Sequence, residues 1–167
     1  MAQKKSAGGV PGRGPRADLL RDLGAVARRY MASYALFNQA LADHLGLHPT
    51  DLQCLNLLGL EPGPVTTGRI AELTGLTTGS ATRLVDRLEK SGYVTRRRDT
   101  EDRRRVLVEV VPERMAELGA VWGRLNGAWW DMFDAYEDDE IALIATHMRR
   151  TIALSTVQCE HLRGGLI

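Results

Sequence analysis

At 167 residues with 44% hydrophobic side chains, the chain is long enough for one compact domain, or for a small lobe with its own association element, and too short for two large independent domains. It holds no apolar run of about eighteen residues, and Met1 to Arg16 lacks the apolar stretch of a secretory leader, so a cytoplasmic protein without membrane contact is expected. The net charge of +1 offers no overall attraction to a polyanion, and two cysteines, Cys54 and Cys159, without CxxC spacing exclude a disulfide framework and leave reduced, structural thiols.

Residues 1–17 are rich in Gly, Pro, Lys and Arg and cannot bury enough apolar surface to offset their ordering entropy, which makes them a flexible basic tail, either a solubilising end or a loose arm for DNA. From Asp18, Leu19, Leu23, Val26, Tyr30, Tyr34, Phe37, Leu41 and Leu45 recur in steps of three and four, the stripe of a long helix that Gly46 should end. Residues 18–48 therefore read as a dimerisation helix. A shorter helix follows from Pro49, with Leu52, Leu55 and Leu58 as its stripe, and Glu61-Pro62-Gly63-Pro64 breaks it.

Between Thr66 and Asp86 two short helical patterns meet at Thr74-Gly75-Leu76. Ile70, Ala71 and Leu73 supply the inner face of the first. Thr77 has the chemistry of an N-cap for the second, whose buried face is Ala81, Leu84, Val85 and Leu88. Gly79, Ser80, Thr82, Arg83, Asp86 and Arg87 then project outward from a helix narrow at its N-terminal end, as entry into a major groove requires. Asp86, four residues before Lys90, has the spacing of an intrahelical pair. After Gly92, YVTRRR and RRVLVEVV read as a two-stranded hairpin, a wing with a charged loop from Asp99 to Arg103 that should protrude and stay mobile. Six of the ten residues from Arg96 to Arg105 are arginine, a density that repels itself unless phosphate or a minor groove neutralises it.

Beyond residue 111, Met115, Leu118, Trp122, Leu125, Trp129, Met132 and Tyr136 form a heptad-like seam. A last helix from Asp138 carries Ile141, Ala145, Met148, Ile152 and Cys159 on one face, opened by an acidic turn, Glu137 to Glu140, that reads as capping. Stripes of this length call for a partner, so residues 112–167 join 18–48 as a dimerisation element around a DNA-binding lobe at 49–111. Charge follows the same division. Residues 64–108 hold ten basic and six acidic side chains, whereas from 112 to 140 eight acids face only Arg114 and Arg124. The fold expected is mainly α with a small β-hairpin wing, a winged helix-turn-helix core flanked by long dimerisation helices.

The run Asp86-Arg87-Leu88-Glu89-Lys90-Ser91-Gly92-Tyr93-Val94-Thr95-Arg96, followed by Asp102-Arg103-Arg104, resembles the MarR family of multiple-antibiotic-resistance-type regulators, with its DRLEKxGxVxR stretch and DxR wing motif. The resemblance covers nearly everything from residue 18 onward. It implies a dimer with interlocking terminal helices on a DNA duplex with an inverted-repeat operator, the helix Thr77 to Ser91 in the major groove, Arg104 in the minor groove and Asp102 orienting the wing. Candidate DNA contacts are Thr77, Thr78, Ser80, Thr82, Arg83 and Arg87 on the helix and Arg96, Arg98, Arg103 and Arg104 on the wing. The resemblance also implies a small-molecule or oxidation input. No cysteine stands near the start of the first helix, which argues against peroxide sensing. Tyr30, Tyr34, Phe37, Trp122 and Trp129 are either plain core or the cage for an aromatic or phenolic effector.

No cofactor, metal or catalytic site is expected. His44 and His48 have helical ligand spacing, but Gly46 and Pro49 break that helix. Neither a GxxxxGK loop nor an HExxH pair occurs, so an enzyme has little support. The expected function is a homodimeric transcriptional regulator, a repressor released by a small molecule. An architectural DNA binder or a winged-helix protein-interaction module are the alternatives.

Overall fold

A computed structural model describes residues 14–165. Of the basic tail expected over residues 1–17, residues 1–13 lie outside the described residues. Helix α1 (Pro15–Leu45) begins before the expected Asp18, because Pro15 sits in the first turn, where the absent N–H costs no hydrogen bond and φ is already helical. It stops at Gly46, in the left-handed conformation at φ 66°, where the Leu47 N–H closes back on the Ala42 carbonyl at 2.9 Å. Helix α2 (Pro49–Leu58) starts under His48, whose Nδ1 accepts the Thr50 N–H at 3.2 Å.

The chain divides into two units at Met115 and Ala116. In the first, α2, α3 (Thr67–Thr74) and α4 (Thr78–Lys90) pack on one another, with the C-terminal end of α1 against α2. Their core is Leu41, Ala42, Leu52, Leu55, Leu58, Ile70, Ala81, Leu84, Val85 and Leu88, all buried. Of the three residues expected inside α3 only Ile70 is fully covered, and Ala71 and Leu73 are half-buried. Gly75 takes the turn between α3 and α4 at φ 71°, a conformation that costs an L-residue with a Cβ roughly 1 to 2 kcal/mol.

The wing is a hairpin of β2 (Val94–Arg98) and β3 (Val106–Val110) in antiparallel register, Val94 opposite Val110 and Arg98 opposite Val106. The sheet it belongs to has a third strand beyond the two expected. A two-residue strand, β1 (Val65–Thr66), pairs antiparallel with the other edge of β3, Val65 opposite Val108. Two residues cannot show a period, so sequence spacing carries no trace of this strand. Buried Val65 and Val108 anchor the sheet to the helices, and Thr66 closes α3 by accepting the Arg69 N–H.

In the second unit the seam expected through Met132 and Tyr136 is interrupted. Helix α5 (Pro112–Asp131) gives way to a 3₁₀ turn, Met132–Ala135, before α6 (Asp138–Arg163). Three residues per turn puts side chains three apart on one side, and Phe133 lies with ring centroids 6.2 Å from Trp130 and 6.1 Å from Tyr136. The acidic turn does cap α6, the Glu137 N–H donating to the Glu140 carboxylate at 2.9 Å. Large apolar residues stay uncovered on three helices: Leu19, Leu23, Val26 and Tyr30 on α1, Trp129 and Trp130 on α5, and Ile152, Leu154 and Val157 on α6. Cys159, expected on an apolar face, is exposed as well.

The two faces of α4 make separable contributions to stability. Leu84→Ala should lower unfolding free energy by about 2 to 5 kcal/mol, the range for a fully buried leucine. Thr82→Ala on the opposite face should change it by less than about 0.5 kcal/mol. Denaturant midpoints measured for both variants check this; equal effects would mean that the helix is rotated from the position described.

Candidate nucleic-acid interface

The reading surface starts at the N-terminus of α4. Thr77 is extended (φ −68°, ψ 155°), and its Oγ1 accepts the Ser80 N–H at 3.3 Å, which fixes where the helix begins. From that start the helical period turns Thr78, Thr82 and Arg83 to solvent, with Ser80 half-buried. Arg83 Nη2 donates to Ser80 Oγ at 3.4 Å. The uncapped N–H groups of this first turn add partial positive charge to a face that already carries hydroxyls and a guanidinium.

Arg87, one turn along, is occupied. Its Nε donates to Asp51 Oδ2 at 2.8 Å and its Nη2 to Asp51 Oδ1, a two-pronged pair between α4 and the first turn of α2. The Asp51 side chain is 4% exposed and that of Arg87 49%. The hydrogen bond to Asp51 raises the Arg87 pKa further above its ordinary value, and burial opposes it. Asp51 and desolvation act on Cys54 too. Burial first, and the neighbouring carboxylate second, push that thiol up to about 12, so it stays protonated and poorly nucleophilic at neutral pH.

In the wing the arginines separate into held and free groups. Arg96 is taken up by Asp86 and Glu89 of α4, and Arg97 Nε donates to Glu109 Oε2 across the hairpin at 3.1 Å. Asp86 therefore pairs across to the wing and not along its own helix with Lys90. Arg105 lies 4.0 Å from Asp99. Arg98 and Arg103 are exposed and have no ion pair among the described residues. Arg104 is 97% exposed, and 3.8 Å from Asp102 it gains little from that charge.

The loop expected to protrude and stay mobile carries internal hydrogen bonds to aspartates. Asp99 Oδ1 accepts the Glu101 N–H at 2.9 Å, and Asp102 Oδ1 accepts the Arg104 N–H at 3.0 Å. Backbone bonds from Arg105 to the Asp102 carbonyl and from Asp99 to the Arg105 carbonyl complete the turn. Asp102 thus shapes the backbone that carries Arg104.

Of the aromatic set, Tyr34 lines a cavity of about 530 Å³ between α1 and α2 with Asn38, Gln39, Gln53, Asn56 and Leu57. Tyr30 and Phe37 are not among its lining residues, and Trp122 and Trp129 belong to the second unit. His48 is engaged as the cap of α2. Two residues with structural weight, Asp51 and Glu89, are not among the site residues singled out from the sequence. Asp51 carries a signal, since it stands one turn before Leu55 beside an apolar stripe, where a carboxylate needs a cation. Glu89 lies in the DRLEKxGxVxR-like run, but spacing does not reveal its partner, which lies beyond the turn at Gly92.

A helix with a polar outer face and a packed inner one, followed by an arginine-bearing hairpin, defines a winged helix-turn-helix DNA-binding protein. The MarR family model matches residues 45–105. Over 151 residues the chain is 36% identical to the HTH-type transcriptional regulator YcgE of Bacillus subtilis (strain 168), covering 90% of this chain and 97% of that one. Among solved structures, a MarR family protein from Bacillus stearothermophilus superposes with a TM-score of 0.66 at 21% identity, over 87% of this chain and 99% of that chain. MarR itself matches with a TM-score of 0.56 at 28% identity, over 81% and 98%. The chain belongs to the MarR family of transcriptional regulators.

The Asp51–Arg87 pair predicts an asymmetry. Arg87→Ala leaves a buried carboxylate unpaired and should cost about 1 to 3 kcal/mol, the half-exposed arginine keeping it below the penalty for a fully buried pair. Removing both charges in Asp51→Asn with Arg87→Gln should cost less than the sum of the single changes. A double-mutant cycle on unfolding free energy measures the coupling, and strict additivity would show that the pair does not hold α4 to α2.

Proposed function

We propose that the protein is a homodimeric, sequence-specific repressor in the cytoplasm that binds an inverted-repeat operator and is released by a small aromatic or phenolic effector. The observation that carries the DNA-reading part is the division of labour on α4, whose inner face is fully buried while Thr78, Thr82 and Arg83 remain open beside a wing ending in an almost fully exposed Arg104. Thr77, Thr78, Ser80, Thr82 and Arg83 are proposed as contacts in the major groove, and Arg98, Arg103 and Arg104 as contacts to phosphate or the minor groove. Arg87 acts by holding α4 on α2.

Dimerisation is supported by the uncovered apolar residues of α1, α5 and α6, which a lone chain would leave in water. An effector is supported by the Tyr34 cavity, whose amide-rich lining offers hydrogen bonds around an aromatic edge. Non-enzymatic action is in keeping with the regulators that the chain resembles over most of its length.

Selection of fragments from a random DNA pool by the full chain tests the reading. The expected product is a two-fold symmetric site with half-site centres about one helical turn, roughly 10 bp, apart or a small multiple of it, bound by a species of twice the chain mass. Arg104→Ala should lower affinity for that site by about 1 to 3 kcal/mol and leave the unfolding midpoint unchanged. Equal affinity for the selected site and random DNA would instead favour an architectural binder, and no DNA binding would favour a protein-interaction module.

A further inference from the structure

We infer that Arg96 is a positioning residue that locks the wing to the reading helix, so that discrimination between DNA sequences depends on it more than affinity for DNA as such. The inference rests on the sequence-specific binding proposed above and adds to it a role for three residues, Asp86, Glu89 and Arg96.

Three observations carry it. The first is the bonding of Arg96, whose Nη2 donates to Asp86 Oδ1 at 2.6 Å and Nη1 to Glu89 Oε2, while its backbone N–H donates to Glu89 Oε1 at 3.2 Å. Its side chain is 27% exposed, against 43% for Arg97, 57% for Arg105 and 97% for Arg104. Burial is the largest single influence and opposes its charge, and the hydrogen bonds and charges of the two carboxylates together outweigh it. A guanidinium committed in this way has little left to offer a phosphate.

The second is where the acids stand. Asp86 follows Thr82 and Arg83 by one turn on the exposed side of α4, and Glu89 follows Asp86 by three residues. Two carboxylates beside a polyanion weaken binding, so their presence on a DNA-facing helix calls for an internal use. Holding Arg96 supplies one and neutralises part of their charge at the same time.

The third is the connection they span. Between the end of α4 at Lys90 and the start of β2 at Val94 the chain turns through Ser91, Gly92 and Tyr93, with Gly92 at φ +75°. The base of the hairpin is held by the Tyr93 N–H on the Leu88 carbonyl and by buried Val94 and Val108. The two-carboxylate clamp adds a side-chain tie between the outer face of α4 and β2, and so sets the distance between groups reading the major groove and Arg104 at the wing tip. A lysine is a poor replacement, since its compact ammonium lacks the planar fork whose Nη1 and Nη2 reach Glu89 and Asp86 separately.

The test uses the full chain, the site it selects from a random pool, and random-sequence duplex as competitor, titrated over a range of salt. Arg96→Ala and Arg96→Lys should each reduce the ratio of selected-site to random affinity about tenfold, with the slope of log affinity against log salt unchanged. Asp86→Asn combined with Glu89→Gln is the decisive variant, because it keeps every cation. Simple electrostatics has it bind all DNA more tightly with its selectivity intact. The clamp has it bind random DNA more tightly and lose selectivity about tenfold. A slope reduced by about one in Arg96→Ala, with selected and random DNA weakened alike, would make Arg96 an ordinary phosphate contact and overturn the inference. So would full selectivity in the double acid variant, whose fold is checked by its unfolding midpoint. If the wild-type chain selects no site, the failure lies with the proposed sequence-specific function and not with the clamp.

Discussion

Everything the reading surface does depends on one helix being held by its back. In α4, Ala81, Leu84, Val85 and Leu88 are completely buried, and the period of 3.6 residues then dictates which side chains remain outside. Each buried leucine or valine contributes about 1.5 to 3 kcal/mol, whereas an exposed ion pair contributes about 1 kcal/mol at most. The apolar residues therefore decide the rotation of the helix, and the polar ones take the directions left to them. The Asp51–Arg87 pair adds what apolar contact lacks, a directional bond that resists sliding of α4 along α2.

The wing solves a different problem. Six arginines within ten residues repel one another, and a bare +1 net charge conceals that most of this repulsion is relieved inside the fold. Asp86 and Glu89 take Arg96, Glu109 takes Arg97 and Asp99 lies near Arg105. What stays open is confined to Arg98, Arg103 and Arg104, toward the tip of the hairpin. Pairing thus converts a diffuse basic segment into a localised one, and the loop aspartates keep that segment in a single turn.

Local chemistry was legible in the sequence, and contacts across distance were not. The ends of α1 and α2 follow from Gly46 and Pro49, and the start of α4 from Thr77, because a cap or stop acts within one turn. The inner face of α4 follows from its spacing. By contrast Arg87 meets Asp51 from 36 residues away, and Arg96 meets Asp86 from ten, separations at which no periodicity applies. Charge spacing alone pointed Asp86 at Lys90, the nearest cation on the same helix, and the fold supplied a better-placed one. Strand β1 escaped for want of length, and the seam of α5 outran its helix because spacing by threes and fours does not distinguish a continuing α-helix from one that tightens to 3₁₀.

Two helices reach from the packed core of the first unit toward apolar residues that stand open. Helix α1 buries Leu41 and Ala42 at its C-terminal end and leaves Leu19 to Met31 largely uncovered. The first turn of α5 is fastened to the base of the wing, with Arg114 4.6 Å above the ring of Tyr93 and the Val111 N–H on the Tyr93 carbonyl at 2.9 Å. Tyr93 in turn donates its N–H to the Leu88 carbonyl at the end of α4. The turn into α5 is therefore tied to the wing and to the end of α4 through Tyr93, while the C-terminal end of α1 packs on α2. A ligand against α1 and α2 can change DNA affinity only by binding one arrangement of these helices better than another. The Asp51–Arg87 bond lies on that route from α2 to α4. The tie through Tyr93 meets α4 at Leu88, next to Arg87, so both ties converge on the C-terminal turn of α4.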